Sequence, residues 1–148
     1  MKYEINDETI ALIPIDSSNT KIIELAKEYD IPYSTFEILE ENCEYYGSTY
    51  NGRIKAAQKI LNFSYKIPLL IEESEKIIFF PTRSSNSMDC CWINHNFVKR
   101  REKEGKKTKV IFSNGVEKTF NISNLSFENQ LLRAGMLDAM ISKRIKQK

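Results

Sequence analysis

Few side chains in this sequence are equipped for covalent chemistry. His95 is the single histidine, so a Ser-His-Asp or Cys-His arrangement has one base to build on, and no carboxylate stands out in the sequence as placed to orient it. Neither a GxGxxG fingerprint nor a GxxxxGK(S/T) phosphate loop occurs, which leaves nucleotide cofactors without support. Cys43, Cys90, Cys91 and His95 are the residues of metal-ligating type. Paired CxxC spacings are missing, and adjacent Cys90 and Cys91 cannot easily aim both sulfurs at one ion. Packing thiols beside Trp92 are the expectation. An odd cysteine count also makes a poor disulfide framework and suits a reducing, cytoplasmic compartment. We therefore expect no enzyme, no cofactor, no metal ligand and no catalytic residue.

Positive charge is placed where it would suit a polyanion. In Gly47-Ser48-Thr49-Tyr50-Asn51-Gly52-Arg53 a small residue stands at a helix start, where free amides and the positive dipole end favour a phosphate oxygen. Ser48 and Asn51 belong to that turn, and Arg53, Lys55 and Lys59 would extend its potential along the helix. A plain N-cap with a solvated basic face accounts for the same residues equally well. Arg83, between Pro81-Thr82 and Ser84-Ser85, is expected on a loop whose hydroxyls suit backbone or phosphate. The densest stretch, residues 99–109, holds seven basic residues against two acidic ones. Lys99, Arg100, Arg101, Lys103, Lys106 and Lys107 are its candidate contacts, on what reads as a flexible hairpin tip. The net charge of +2 hides a partition: residues 1–48 carry a net of −8 and residues 49–148 a net of +10. Such asymmetry suggests one side facing a polyanion and an acidic remainder.

These residues need a scaffold, and 148 residues are enough for one domain with a sizeable core. No apolar run approaches the length of a membrane span, and the N-terminus lacks the form of a secretory signal. Short strands are expected over 3–6 and 9–14 around an Asn6-Asp7 turn, and another over 35–39. Residues 21–29 are ambiguous between helix and strand. A basic helix over 50–61 buries Ile54, Ala57 and Leu61, with Lys55 and Lys59 opposite. Residues 67–71 and 76–80 form a hairpin around Glu72-Glu73-Ser74-Glu75, ended by Pro81. Further strands are expected over 92–99, 109–113 and 116–122, the last two joined through Asn114-Gly115, where both residues tolerate positive φ. A long helix from about Ser126 repeats Phe127, Leu131, Ala134, Leu137, Ile141 and Ile145 at helical spacing. Met136 and Met140 widen its apolar stripe beyond one face, which suits core or a dimer seam. The expected fold is α+β: antiparallel β-hairpins forming one or two sheets, with one short basic helix and one long C-terminal helix.

Several short motifs, in one order, resemble those of the competence transcription factor family, ComK. They are Gly47 to Arg53 as written above, Phe80-Pro81-Thr82-Arg83-Ser84-Ser85, Cys90-Cys91-Trp92-Ile93-Asn94-His95, Phe112-Ser113-Asn114-Gly115, Ile122-Ser123 and Ser126-Phe127-Glu128-Asn129-Gln130. The resemblance covers residues 36–137 well and the N-terminal hairpin weakly. It implies a single DNA-binding domain over residues 1–148 that activates competence (DNA-uptake) genes. It further implies binding to AT-rich promoter boxes of double-stranded DNA, mainly through the minor groove, by dimers that pair on the DNA in the nucleoid. A Clp protease adaptor is another implied partner. Two departures stand out: Cys91 replaces a glycine of the family's Cys-Gly-Trp, and longer members continue into a tail carrying an adaptor-binding segment. A minor groove in AT-rich DNA is narrow and strongly negative, which suits inserted Arg or Lys and explains why no recognition-helix motif stands out. The alternative is a shortened protein-interaction module that pairs with a longer homologue without activating transcription itself.

Overall fold

A six-stranded antiparallel sheet forms the middle layer of the computed structural model, which describes residues 1–146. Its strands are β1 (Thr9–Pro14), β2 (Thr20–Glu24), β3 (Glu28–Ile31), β4 (Leu69–Glu72), β5 (Ile77–Pro81) and β6 (Trp92–Asn94), ordered β3-β2-β1-β6-β5-β4. A second antiparallel sheet holds β7 (Val98–Glu104), β8 (Lys107–Phe112) and β9 (Glu117–Phe120) in chain order. The helices are α1 (Thr35–Tyr45), α2 (Tyr50–Leu61) and α3 (Asn124–Lys146). The fold is α+β with two sheets, and α2 has the bounds its periodicity predicts.

Because side chains alternate across a strand, the larger sheet serves two cores. Leu12, Leu69, Ile71, Phe79 and Trp92 turn to one face, where Ile38, Leu39 and Cys43 of α1 cover them. Leu70, Ile78, Phe80 and Ile93 turn to the other, toward α2, α3 and the smaller sheet. There Phe127, Ala134, Leu137 and Ile141 supply the buried stripe of α3. The adjacent cysteines divide likewise: Cys90 belongs to the first core and Cys91 packs against the second. Burial pushes the Cys90 thiol up to about 11 and those of Cys43 and Cys91 up to about 12. Glu37, Glu40, Glu41 and Glu44 lie on α1, which packs on the sheet face opposite the one that holds α3, whereas Glu28 of β3 pairs with Lys118 of β9 at 3.0 Å.

Several local expectations are corrected by the structure. Residues 35–39 are the first half of α1 and not a strand. Ser34 caps the helix in a capping box with Glu37, and burial at 38, 39, 42 and 43 follows helical spacing. Residues 3–6 are no strand either, because their backbone pairs with the Asn42 side chain and not with a ladder. The ambiguous 21–29 segment resolves into the β2–β3 hairpin. The strand expected over 92–99 is broken by a 3-10 turn, His95–Phe97, as Asn94 Oδ1 accepts from Asn96 N–H at 3.1 Å. Its two halves enter different sheets. Residues 99–109 are not a flexible tip: all but Gly105 and Lys106 lie in β7 and β8, and Gly105 at φ 61° takes the first position of a two-residue turn. At Asn114-Gly115 only the glycine has positive φ.

Candidate nucleic-acid interface

Thr49 caps α2, its Oγ1 accepting from Gly52 N–H at 2.9 Å. A Cβ on residue 52 would stand 2.9 Å from that Oγ1 and 3.3 Å from Ser48 Oγ, so the glycine is needed for the cap. Tyr50 N–H donates to the Glu40 carboxylate at 3.3 Å. An acidic side chain of α1 thus already occupies part of the place where an anion was expected. Half-buried Ser48 donates its N–H to Cys43 O at 2.9 Å. Lys55 and Lys59 form one exposed face at four-residue spacing, as expected, and Asn51 falls on it too. Arg53 does not share it. Its Nε is buried without a hydrogen-bond partner among the described residues, and the side chain lines a hollow of about 150 Å³ with Leu70, Glu73, Leu137 and Arg144. Burial pushes the nearby Glu72 carboxyl up, but hydrogen bonds from Ser74 and Glu75 and the Arg53 charge outweigh it and hold it below the usual range.

Arg83 is tied to the segment that enters α3. Its Nη1 donates to Asn121 O at 3.2 Å, its Nε lies 3.8 Å from Asp89, and Asn121 Nδ2 donates to Asp89 at 3.2 Å. Hydrogen bonds from Ser87 and Asn121, with the Arg83 charge, hold the Asp89 carboxyl below its ordinary value. The end of the β7–β8 hairpin adjoins the same segment: Asn124 Nδ2 donates to Lys107 O at 3.4 Å, and Thr108 Oγ1 donates to Ile122 O at 2.8 Å. Between these parts, Lys66, Arg83, Ser84, Ser87, Ser123 and Ser126 line a polar hollow of about 450 Å³. Ser123 Oγ accepts from Ser126 N–H at 3.2 Å, and the first turn of α3 holds no acidic residue. A second groove, of about 530 Å³, shares Lys66 and Ser84 and reaches Asn51, Gln58 and Asn86. Lys66 was not a candidate: it stands outside both basic runs, and only the fold brings it beside Arg83.

The basic hairpin is partly neutralised by its own sheet. Arg100 lies 3.8 Å from Glu102, and Lys109 stands between Glu102 at 3.2 Å and Glu117 at 3.4 Å. Those carboxylates raise the Lys109 ammonium above its ordinary value, the hydrogen bond to Glu102 contributing most. Arg101 reaches across to Glu128 of α3 at 2.7 Å. Among the described residues, Lys99, Lys103, Lys106 and Lys107 make no ion pair, and neither do Lys55, Lys59 and Lys66. The structure therefore gathers Arg83, Lys66 and the hairpin end around the start of α3, places Asn51 along the adjoining groove, and leaves Arg53 apart. Among the described residues no group of three or more His, Cys, Asp or Glu side chains is arranged to hold a metal ion, and no helix is long and apolar enough to cross a membrane.

A protein-family model described as ComK protein matches residues 1–146. The chain belongs to the ComK family. It is 35% identical over 147 residues to the competence transcription factor of Bacillus subtilis (strain 168), an alignment covering 97% of this chain and 77% of that relative. No solved structure matches it. Two of the motifs that carried the ComK resemblance meet in space: Tyr50 and Asn51 from the first and Ser84 and Ser85 from the second line one groove. Cys91, where the ComK pattern has glycine, is not among the positive-φ residues, so its side chain brings no backbone strain.

Proposed function

We propose that this chain is a DNA-binding transcriptional regulator of competence genes that reads AT-rich promoter boxes mainly through the minor groove, acting as a homo-oligomer. Membership of the ComK family and the similarity to a competence transcription factor support the regulatory role. For the DNA contact, the observation that carries most weight is the convergence of Arg83, Lys66 and the unpaired end of the β7–β8 hairpin on the start of α3. Arginine in a loop suits the narrow, negative minor groove of AT-rich DNA, while lysines without carboxylate partners suit flanking phosphates. Hydroxyls of Ser84, Ser123 and Ser126 add short hydrogen-bonding groups beside them.

Inosine-cytosine pairs test the groove directly. An inosine-cytosine pair shows an A·T-like minor groove and a G·C-like major groove, because inosine lacks the guanine N2 amino group. A gel-shift titration would compare an AT-box duplex with inosine-cytosine and guanine-cytosine substituted versions. Retained affinity on the inosine duplex with loss on the guanine duplex is expected. Equal loss on both would place the reading in the major groove.

A further inference from the structure

The outward face of α3 is apolar where nothing among the described residues covers it. Its buried stripe consists of Phe127, Gln130, Ala134, Leu137 and Ile141. On the opposite side Leu125, Leu132, Met136 and Met140 are exposed, Leu125 at 70% and Leu132 at 64%. Leu125, Leu132 and Ala139 recur every seven residues, the spacing of a helix-pairing seam. A shallow groove of about 560 Å³ runs along this face between α3 and Arg101 of β7.

Gly135 lies in the middle of that face, and the monomer gives no reason for it. A Cβ there would meet nothing within 4 Å, and its φ is not positive. Glycine inside a helix costs stability relative to alanine, so its presence makes sense where another backbone or a large side chain comes close. The charges at the ends of the face supply the geometry. Glu128, one oxygen of which already holds Arg101 at 2.7 Å, stands at the N-terminal end and Lys143 at the C-terminal end, both exposed. Parallel copies would set Glu128 against Glu128 and Lys143 against Lys143. Antiparallel copies set each Glu128 against a Lys143 and align the helix dipoles favourably. The same register places Leu132 opposite Ala139 and Met136 opposite Gly135, large against small.

We propose that this face is a two-fold seam on which a second copy of the chain docks, α3 against α3 in antiparallel register. The proposal rests on the homo-oligomer of the reading above and names its surface. Sedimentation equilibrium of the DNA-free chain tests it apart from DNA binding. The wild-type chain is expected to be dimeric at about 50 µM, a concentration that detects even a micromolar dissociation constant. Gly135→Leu, a helix-favouring change at an exposed position, and Leu132→Glu should each raise that constant at least about tenfold, with melting temperatures showing both variants folded. Glu128→Lys and Lys143→Glu should each weaken self-association about threefold, the modest effect of exposed charges, and an equimolar mixture of the two should recover it. A monomeric wild-type chain, or an unchanged dimer in Gly135→Leu, would overturn the seam. Failure of the mixture to recover would overturn the antiparallel register. A dimer that ignores AT-box duplexes would instead overturn the DNA reading and leave the seam standing.

Discussion

Ile5 donates its backbone N–H to Asn42 Oδ1 at 2.9 Å, inside the core between the larger sheet and α1. The same amide donates from Nδ2 to Tyr3 O and to Ile38 O, each at 2.8 Å. One fully buried side chain thus does for the N-terminal segment what a neighbouring strand would otherwise do. Asn42→Ala would leave a buried N–H and a buried carbonyl unpaired, and each such group costs about 1–3 kcal/mol. We expect urea unfolding to show a loss of about 2–4 kcal/mol. A loss below about 0.5 kcal/mol, the range of ordinary surface changes, would mean that the segment is held by its side chains alone.

The same asparagine explains why this region was hard to read in the sequence. At position 42 a polar residue interrupts the apolar rhythm of 38, 39 and 43, and the partial alternation of Thr35 to Leu39 then looks strand-like. The Ser34 and Glu37 capping box was the local signal available. By contrast, α2 was legible because Ile54, Ala57 and Leu61 sit at plain helical spacing behind the Thr49 cap. The candidate site divides the same way. Arg83 and the hairpin lysines stand out by charge and loop context, whereas the distance of Arg53 and the nearness of Lys66 follow from packing between distant segments, which has no local signature.

Asn114 and Gly115 make the second testable point. Asn114 Oδ1 accepts from Val116 N–H and its Nδ2 donates to Leu25 O, both at 3.1 Å, so this turn also ties the smaller sheet to the β2–β3 connection. Gly115 carries the left-handed backbone at φ 90°. Gly115→Val should therefore cost about 1–3 kcal/mol through strain. Asn114→Val should cost about 1 kcal/mol through lost hydrogen bonds. The reverse order in denaturant melts would show that the side-chain tie, and not the backbone, fixes the turn.

His95 gives a pH dependence with a definite sign. Its Nε2 lies 3.1 Å from Asp138 Oδ2, close enough for that carboxylate to favour the protonated imidazole. Burial lowers the imidazole from its ordinary value, and the Asp138 charge offsets this only in part. The unfolded chain therefore takes up the proton first, and folding stability rises with pH until the unfolded histidine has titrated. We expect melting temperature to fall as pH drops from about 7 to about 5.5, and the slope to flatten in His95→Gln. A wild-type protein that gains stability on acidification through that window would show that attraction to Asp138 outweighs burial.

The last prediction separates the basic residues by their surroundings. Arg83 stands on an exposed loop at the start of α3, so Arg83→Ala should weaken binding to an AT box by about 1–3 kcal/mol and relax the preference over a guanine-cytosine duplex. Lys106, unpaired at the hairpin turn, should behave as a phosphate contact. Lys106→Ala should weaken all duplexes alike and reduce the salt slope by about 1. Arg101 is held by Glu128 at 2.7 Å, much closer than the 3.8 Å between Arg83 and Asp89, so Arg101→Ala should change affinity less than Lys106→Ala does. Arg53 closes the first motif that carries the family resemblance, yet its buried Nε and its place beside Glu73 and Leu137 turn it away from the other candidates. Arg53→Met keeps the aliphatic stem and should leave the preference for AT-rich DNA unchanged. Gel shifts at two salt concentrations, on variants shown to be folded, decide among these roles. If Arg53→Met loses the AT preference while Arg83→Ala keeps it, the reading surface lies on the α2 side near Glu73 and Arg144, away from the start of α3.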